Sequence, residues 1–275
     1  MKRLFWLIPV LAVGCDSQDT TAPGRTAPSV ARADSPPPKP KAVDKVPEAR
    51  APEVEEPKEV PPEEAPPIPA EYKPLNKNKT LFFEKTADDR RRVHILAAVC
   101  LREGVLEVLL CKQFSKEHES ILHADVDGQA LHTALVAAKA VPGSPVVFHP
   151  DYKPASGTRI KVTLTYREKG KVKTVPAGEW IKDKTTNKDM AHDWVFAGSK
   201  LLKDPDNPAA PPAYTAHHTG EYICLANFPD SIMDLPVKSP KDLADLIFEI
   251  NTPRIPPLRT PVIVTLEPVL EGKKK

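Results

Sequence analysis

The sequence predicts an α+β domain of mostly antiparallel strands with one principal helix, carried behind a disordered Pro-rich tether. Three observations lead there. Between residues 79 and 270, runs such as "RRVHILAAVCL", "TRIKVTLTYRE" and "TPVIVTLEPV" combine β-branched residues with period-two alternation. One stretch, "DVDGQALHTALVAAKA", places apolar residues at helical spacing. Residues 16–77 hold about fifteen of the 33 prolines and few large apolar side chains, too little buried surface to offset the entropy of ordering.

The first fourteen residues read as a secretory signal: Lys2 and Arg3 precede "LFWLIPVLAVG", an apolar run of signal length and too short to span a bilayer. "LAVGC" resembles the bacterial lipobox, so Cys15 is the expected lipidation site and a covalent lipid the expected attachment. Two or three acyl chains, at about 0.8 kcal/mol per buried methylene, hold a protein firmly on a membrane. Residues 15–78 then form a linker whose mixed charges nearly cancel. As a flexible coil of about sixty residues its ends would lie roughly 45 Å apart. A formal net charge of +2 over 275 residues gives no basis for a nucleic-acid partner. Residues 271–275 are a short basic tail.

Within the domain, "RRVHILAAVCL" and "VLEVLLC" flank "REG" and predict a hairpin with Gly104 in the turn. Val93, Ile95, Ala97, Val99 and Leu101 form one face of its first strand. In the helix, Asp125 or Asp127 is the N-cap and Ala130, Leu131, Ala134, Leu135 and Ala138 make the apolar stripe, with "VPGSP" as the stop. Further strands follow in "PVVFHP", "TRIKVTLTYREKGKVKTVPAGEWI" with its "EKGK" turn, "DWVFAGS", "EYICLANF", "LIFEIN" and "TPVIVTLEPV". "SPKDLADL" fits a short helix capped by Ser239.

"KEHESILH" gathers the densest chemistry. It nearly matches the H-E-x-x-H zinc motif, but His118 and His123 stand five apart, about 140° round a helix and on opposite faces of a strand. The zincin reading therefore fails. His118, Glu119 and His123 remain metal candidates only with a distant ligand. "HADVDGQALHTA" holds Asp125, Asp127 and Gly128 at EF-hand positions but has His123 and Ala134 where the strongest calcium ligands belong. Hairpin register places Cys100 and Cys111 about 13 Å apart, too far to bridge, which leaves Cys224 as the possible disulfide partner of either. Glu107 interrupts an apolar strand. Asp230 and Asp234 read as an acid/base pair or as turn caps, and Trp180 and Trp194 as core. No G-x-S-x-G elbow surrounds Ser120 or Ser199.

Taken in order, "VCLREGVLEVLLC", "KEHESILHADVDGQALHTALVAAKAVPGSPV", "KPASGTRIKVTL", "DWVFAGS" and "YICLANFPDSIMDLPV" resemble the YdjY-domain family in the extended form found in bacterial envelope lipoproteins. The resemblance marks Glu107, Lys116, His118, Glu119, Ser120 and His132 as family features and implies no chemistry for them. The expectation is a membrane-anchored envelope lipoprotein facing the periplasm or exterior. Its non-catalytic domain would bind an envelope partner or ligand, or support envelope structure. The alternative is a metal- or redox-linked site around His118, Glu119 and Glu107, served by Cys100, Cys111 and Cys224.

Overall fold

The computed structural model describes residues 61–239 and 247–270. The predicted signal, Cys15, the tether up to residue 60, the Ser239-capped helix and the basic tail lie outside the described residues.

Sixteen strands and two helices appear among them. The chain lays down β1 (Lys73–Pro74), β2 (Leu81–Lys85), β3 (Arg91–Val99), β4 (Val108–Lys112) and β5 (Ser120–Ala124), then helix α1 (Gly128–Ala137). A hairpin of β6 (Arg159–Glu168) and β7 (Lys171–Pro176) follows, then β8 (Ile181–Asp183), β9 (Lys188–Asp189) and β10 (Trp194–Phe196). After β11 (Leu201–Leu202) and β12 (Ala213–Tyr214) come helix α2 (Thr215–Thr219), β13 (Glu221–Cys224) and β14 (Met233–Asp234). The last two strands are β15 (Phe248–Ile250) and β16 (Pro261–Pro268).

Eight strands hydrogen-bond in the cycle β3-β16-β6-β10-β14-β13-β4-β5 and back to β3, so the sheet closes into a barrel. This corrects the α+β expectation. Among the described residues only α1 exceeds five residues as a helix, and it forms no layer of its own; Leu131, Ala134 and Leu135 of α1 enter the same core that fills the barrel. Six of the eight pairings are antiparallel, and β13–β14 and β4–β5 are parallel.

Long strands make closure possible by sharing an edge. One edge of β3 pairs with β16; the other takes β2 opposite residues 91–95 and β5 opposite Ala98 and Val99. β6 repeats the device, with β16 on one edge and both β10 and the flap strand β7 on the other. Alternation then fills the interior in rungs. Val93, Leu266 and Val162 face one another across three strands; so do Ile95, Val264 and Leu164, and next Ala97, Val262 and Tyr166. All nine are at most 7 % exposed, as expected of an eight-stranded barrel whose lumen is just wide enough for side chains.

The predicted hairpin between β3 and β4 is absent. β4 pairs with β5 and β13 instead, because the core-facing Leu110 of β4 finds Leu122 and Ile223 as its cross-strand neighbours. The "EKGK" hairpin is present, with Lys169 and Gly170 both at positive φ, the turn that suits the twist of paired strands. Asp127 caps α1 by accepting the Ala130 N–H at 2.8 Å. Residues 61–78, read as the end of the tether, lie against the barrel: Glu63 accepts from the N–H groups of Lys169 and Gly170, and Tyr72 stacks on His94 at 3.7 Å.

Candidate functional site

The "KEHES" segment forms the turn from β4 into β5, including one 3₁₀ turn at Glu117–Glu119. Its residues do not act as one group. Lys116 Nζ lies 2.5 Å from Glu119 Oε1, 3.7 Å from Glu221 Oε1 and 4.6 Å above the Phe228 ring. Burial pulls the Lys116 ammonium down, but Glu119, Glu221 and Glu107 outweigh it and its pKa rises. Glu107 and Glu221 are both buried, so one ammonium is set among three carboxylates at the barrel wall. Glu117 makes a separate clamp, accepting the Phe114 N–H and lying 2.5 Å from His123 Nδ1. Burial opposes ionisation of Glu117, but those two partners lower its pKa overall. Ser120 is fully buried and donates to the Leu122 carbonyl at 2.7 Å.

His118 faces outward, with its side chain 77 % exposed and Nε2 3.8 Å from Glu119 Oε2. His118 and His123 therefore go to different partners. Among the described residues no group of three His, Cys, Asp or Glu side chains is placed to hold a metal ion, so the metal reading of His118, Glu119 and His123 has no third ligand. Packing a lysine among carboxylates holds a turn in place; it offers neither an open coordination position nor a nucleophile–base pair.

The YdjY domain family model matches residues 85–267, about two thirds of the sequence. The chain belongs to the YdjY-domain family. No curated protein and no solved structure matches it.

The YdjY domain's cysteines revise the register argument. All three described cysteines are free thiols. With β5 between β3 and β4, Cys100 N–H reaches the Ile121 carbonyl and Cys111 sits opposite His123. The Cys100 thiol donates to the Ser120 carbonyl oxygen at 3.0 Å. Cys224, proposed as a partner of either, is fully enclosed beside Val108 and Cys111 in a small apolar cluster.

Of the family-marked residues, His132 lines a cleft. A depression of about 340 Å³ between α1 and the segments around residues 142–143 and 197–201 is walled by Gln129, His132, Thr133, Ser199, Lys200 and Tyr214, among others. Tyr214 donates its single phenolic proton to the Gly198 carbonyl at 3.0 Å. His132 Nδ1, 2.9 Å from the Tyr214 hydroxyl oxygen, must then be the donor, which leaves Nε2 with its lone pair. Burial lowers the His132 pKa against the opposing pull of the Gly198 backbone, so the ring is biased toward this neutral form. Sequence reasoning placed His132 as a family feature and as a candidate neighbour of the His118 site. Tyr214, 82 residues away, had no local signal at all.

Asp234 was read as half of an acid/base pair or as a turn cap, and it is a buried cap. Its carboxyl accepts from Leu235 N–H at 2.7 Å, Asn227 Nδ2 at 3.1 Å and Phe228 N–H at 3.2 Å. Asp230 lies apart, 3.8 Å from Lys200. Trp180 and Trp194 are core residues.

Proposed function

We propose that this chain is a lipid-anchored protein of a bacterial envelope, facing the periplasm or exterior, whose YdjY barrel binds a small polar ligand at the His132 cleft. The observation that carries the binding half is the His132–Tyr214–Gly198 relay, which fixes a neutral imidazole with an acceptor nitrogen at the cleft wall. Gln129 and Thr133 add polar groups, and the Lys200 ammonium adds a cation. Such a lining suits a molecule that presents an N–H or O–H to His132 and an acceptor or carboxylate to Lys200. The pairing of Lys116 with Glu119 and Glu221 supports a scaffold role for "KEHES", consistent with binding rather than catalysis. The anchoring half rests on the "LAVGC" motif and on the length of the Pro-rich stretch behind it.

Two measurements test the halves separately. In the ¹⁵N-histidine-labelled protein, long-range proton–nitrogen correlations at pH 7 should show His132 protonated at Nδ1 and unprotonated at Nε2. The Tyr214→Phe variant should lose that preference. A doubly protonated ring, or an Nε2–H tautomer, overturns the ligand-acceptor reading. Labelled palmitate should enter the wild-type chain in bacterial cells and not the Cys15→Ser variant; equal labelling of both refutes the anchor.

A further inference from the structure

We propose that the outer face of the barrel carries a second binding site, for a hydroxylated carboxylate of hexuronic-acid size, among Lys161, Thr163, Thr265 and Tyr72. The site is independent of the His132 cleft. It is built on the reverse face of strands that fill the interior: along β6, Val162 and Leu164 enter the core, whereas Lys161, Thr163 and Thr165 face away. Register sets Thr265 of β16 between His94 of β3 and Thr163 of β6, and sets Glu267 opposite Lys161. Threonines on a solvated strand face are ordinary, but this face is walled in. Tyr72 stacks on His94 at one side, and β7 bounds the other, where the Thr174 hydroxyl lies 2.8 Å from that of Thr165. Between them is a cleft of about 340 Å³, within the range of small-molecule sites.

Some of the lining groups are already committed and others are left over. As a carboxylate Glu84 can only accept, so His94 donates to it from Nε2 at 3.1 Å and Nδ1 accepts the Thr265 proton at 2.9 Å. Buried His94 thus pins Thr265 from behind and leaves its oxygen as a fixed acceptor. Glu267 is taken by Arg92 and Arg90. Lys161, its neighbour across the ladder, forms no ion pair among the described residues and keeps its ammonium protons for a ligand. The Thr163 and Tyr72 hydroxyls likewise bond no other described residue.

These leftover groups select the ligand. Lys161 and Thr163 stand two residues apart on one face of β6, about 7 Å. A carboxylate at Lys161, followed by hydroxyls that donate to Thr265 and pair with Thr163 and Tyr72, answers all four. A hexuronic acid has this layout, with one carboxylate on a ring edged by hydroxyls that both donate and accept. A neutral sugar gains nothing from the Lys161 charge, and a short bare carboxylate gains nothing from the row of hydroxyls.

The test uses the full chain labelled with ¹⁵N-histidine at pH 7. His94 is the reporter, because its Nδ1 reads the Thr265 hydroxyl, and it is assigned by nuclear Overhauser contacts with the stacked Tyr72 ring. Glucuronate should shift the His94 ring nitrogens saturably. Glucose and acetate should bind about tenfold more weakly or worse, and so should glucuronate to Lys161→Met. Tyr72→Phe, which keeps the stack and removes one hydroxyl, should weaken glucuronate severalfold. Lys161 is exposed, so its replacement leaves the fold intact. Saturation that moves His132 alone would put the acid in the other cleft and overturn this site. Glucose binding as tightly as glucuronate, Lys161→Met binding like the wild type, or no saturable shift at His94 would each overturn it as well.

Discussion

Asp234 and His94 should give this barrel two opposing pH dependences that hide each other in the wild type. Asp234 is fully buried, and desolvation raises its pKa to about 7 against the lowering effect of Asn227, Leu235, Phe228 and Ser231. A folded value above the unfolded 3.8 means that its contribution is complete below about pH 4 and is lost as pH rises through 7. Roughly three pKa units at 1.36 kcal/mol each make this about 4 kcal/mol. His94 is 1 % exposed and is lowered to about 4, by burial first and by Arg92 second. Its Nε2, 3.1 Å from Glu84, donates from a neutral ring while Nδ1 accepts from Thr265. That contribution is complete above 6.5 and is lost as pH falls through 4, about 3 kcal/mol in all. Between pH 4 and 6.5 the two slopes cancel. Urea unfolding, followed by fluorescence of the buried Trp180 and Trp194, measures the balance for wild type and Asp234→Asn at pH 4.5, 5.5, 6.5 and 7.5. The amide sets an N–H₂ against the Phe228 N–H and costs about 1–3 kcal/mol at every pH. What matters is the difference between the two proteins, which should shrink by about 3 kcal/mol from pH 4.5 to 7.5. A difference constant across that range would mean that Asp234 is ionised throughout, and the reasoning would be wrong.

Removing the cation from the "KEHES" network should show its scaffold role. Lys116→Met leaves Glu107, Glu119 and Glu221 clustered without the ammonium, at a cost of about 2 kcal/mol after allowing for the partial exposure of the lysine. His118→Ala should change stability by less than about 0.5 kcal/mol, because its ring is in solvent. Denaturant melts of both would refute the assignment if the order were reversed. Gly157→Ala should be far more damaging than either. Its φ of +135° excludes L side chains, and a Cβ there would stand 2.1 Å from the Phe196 carbonyl oxygen, so soluble yield and thermal midpoint should both collapse.

How much of this was legible in the sequence depended on the distance over which each signal acts. Period-two alternation determined which side chains of β3, β6 and β16 face the core, because the pleat is a local property of the backbone. Local chemistry likewise narrowed the α1 cap to Asp125 or Asp127, of which the structure uses Asp127, and placed the Lys169–Gly170 turn. The spacing of His118 and His123 was enough to exclude a zincin. Partner choice was not local. Nothing in "RRVHILAAVCL" says that Ala98 and Val99 pair with a strand more than twenty positions on and so close a barrel. The short strands β10, β13 and β14 also gave alternation too little length to declare an edge or a direction. Packing between distant segments likewise brought Glu221 to Lys116 and set Tyr214 against His132. Side-chain periodicity is written in neighbouring residues; the meeting of distant strands is decided by which surfaces bury one another, and that exists only once the chain has folded.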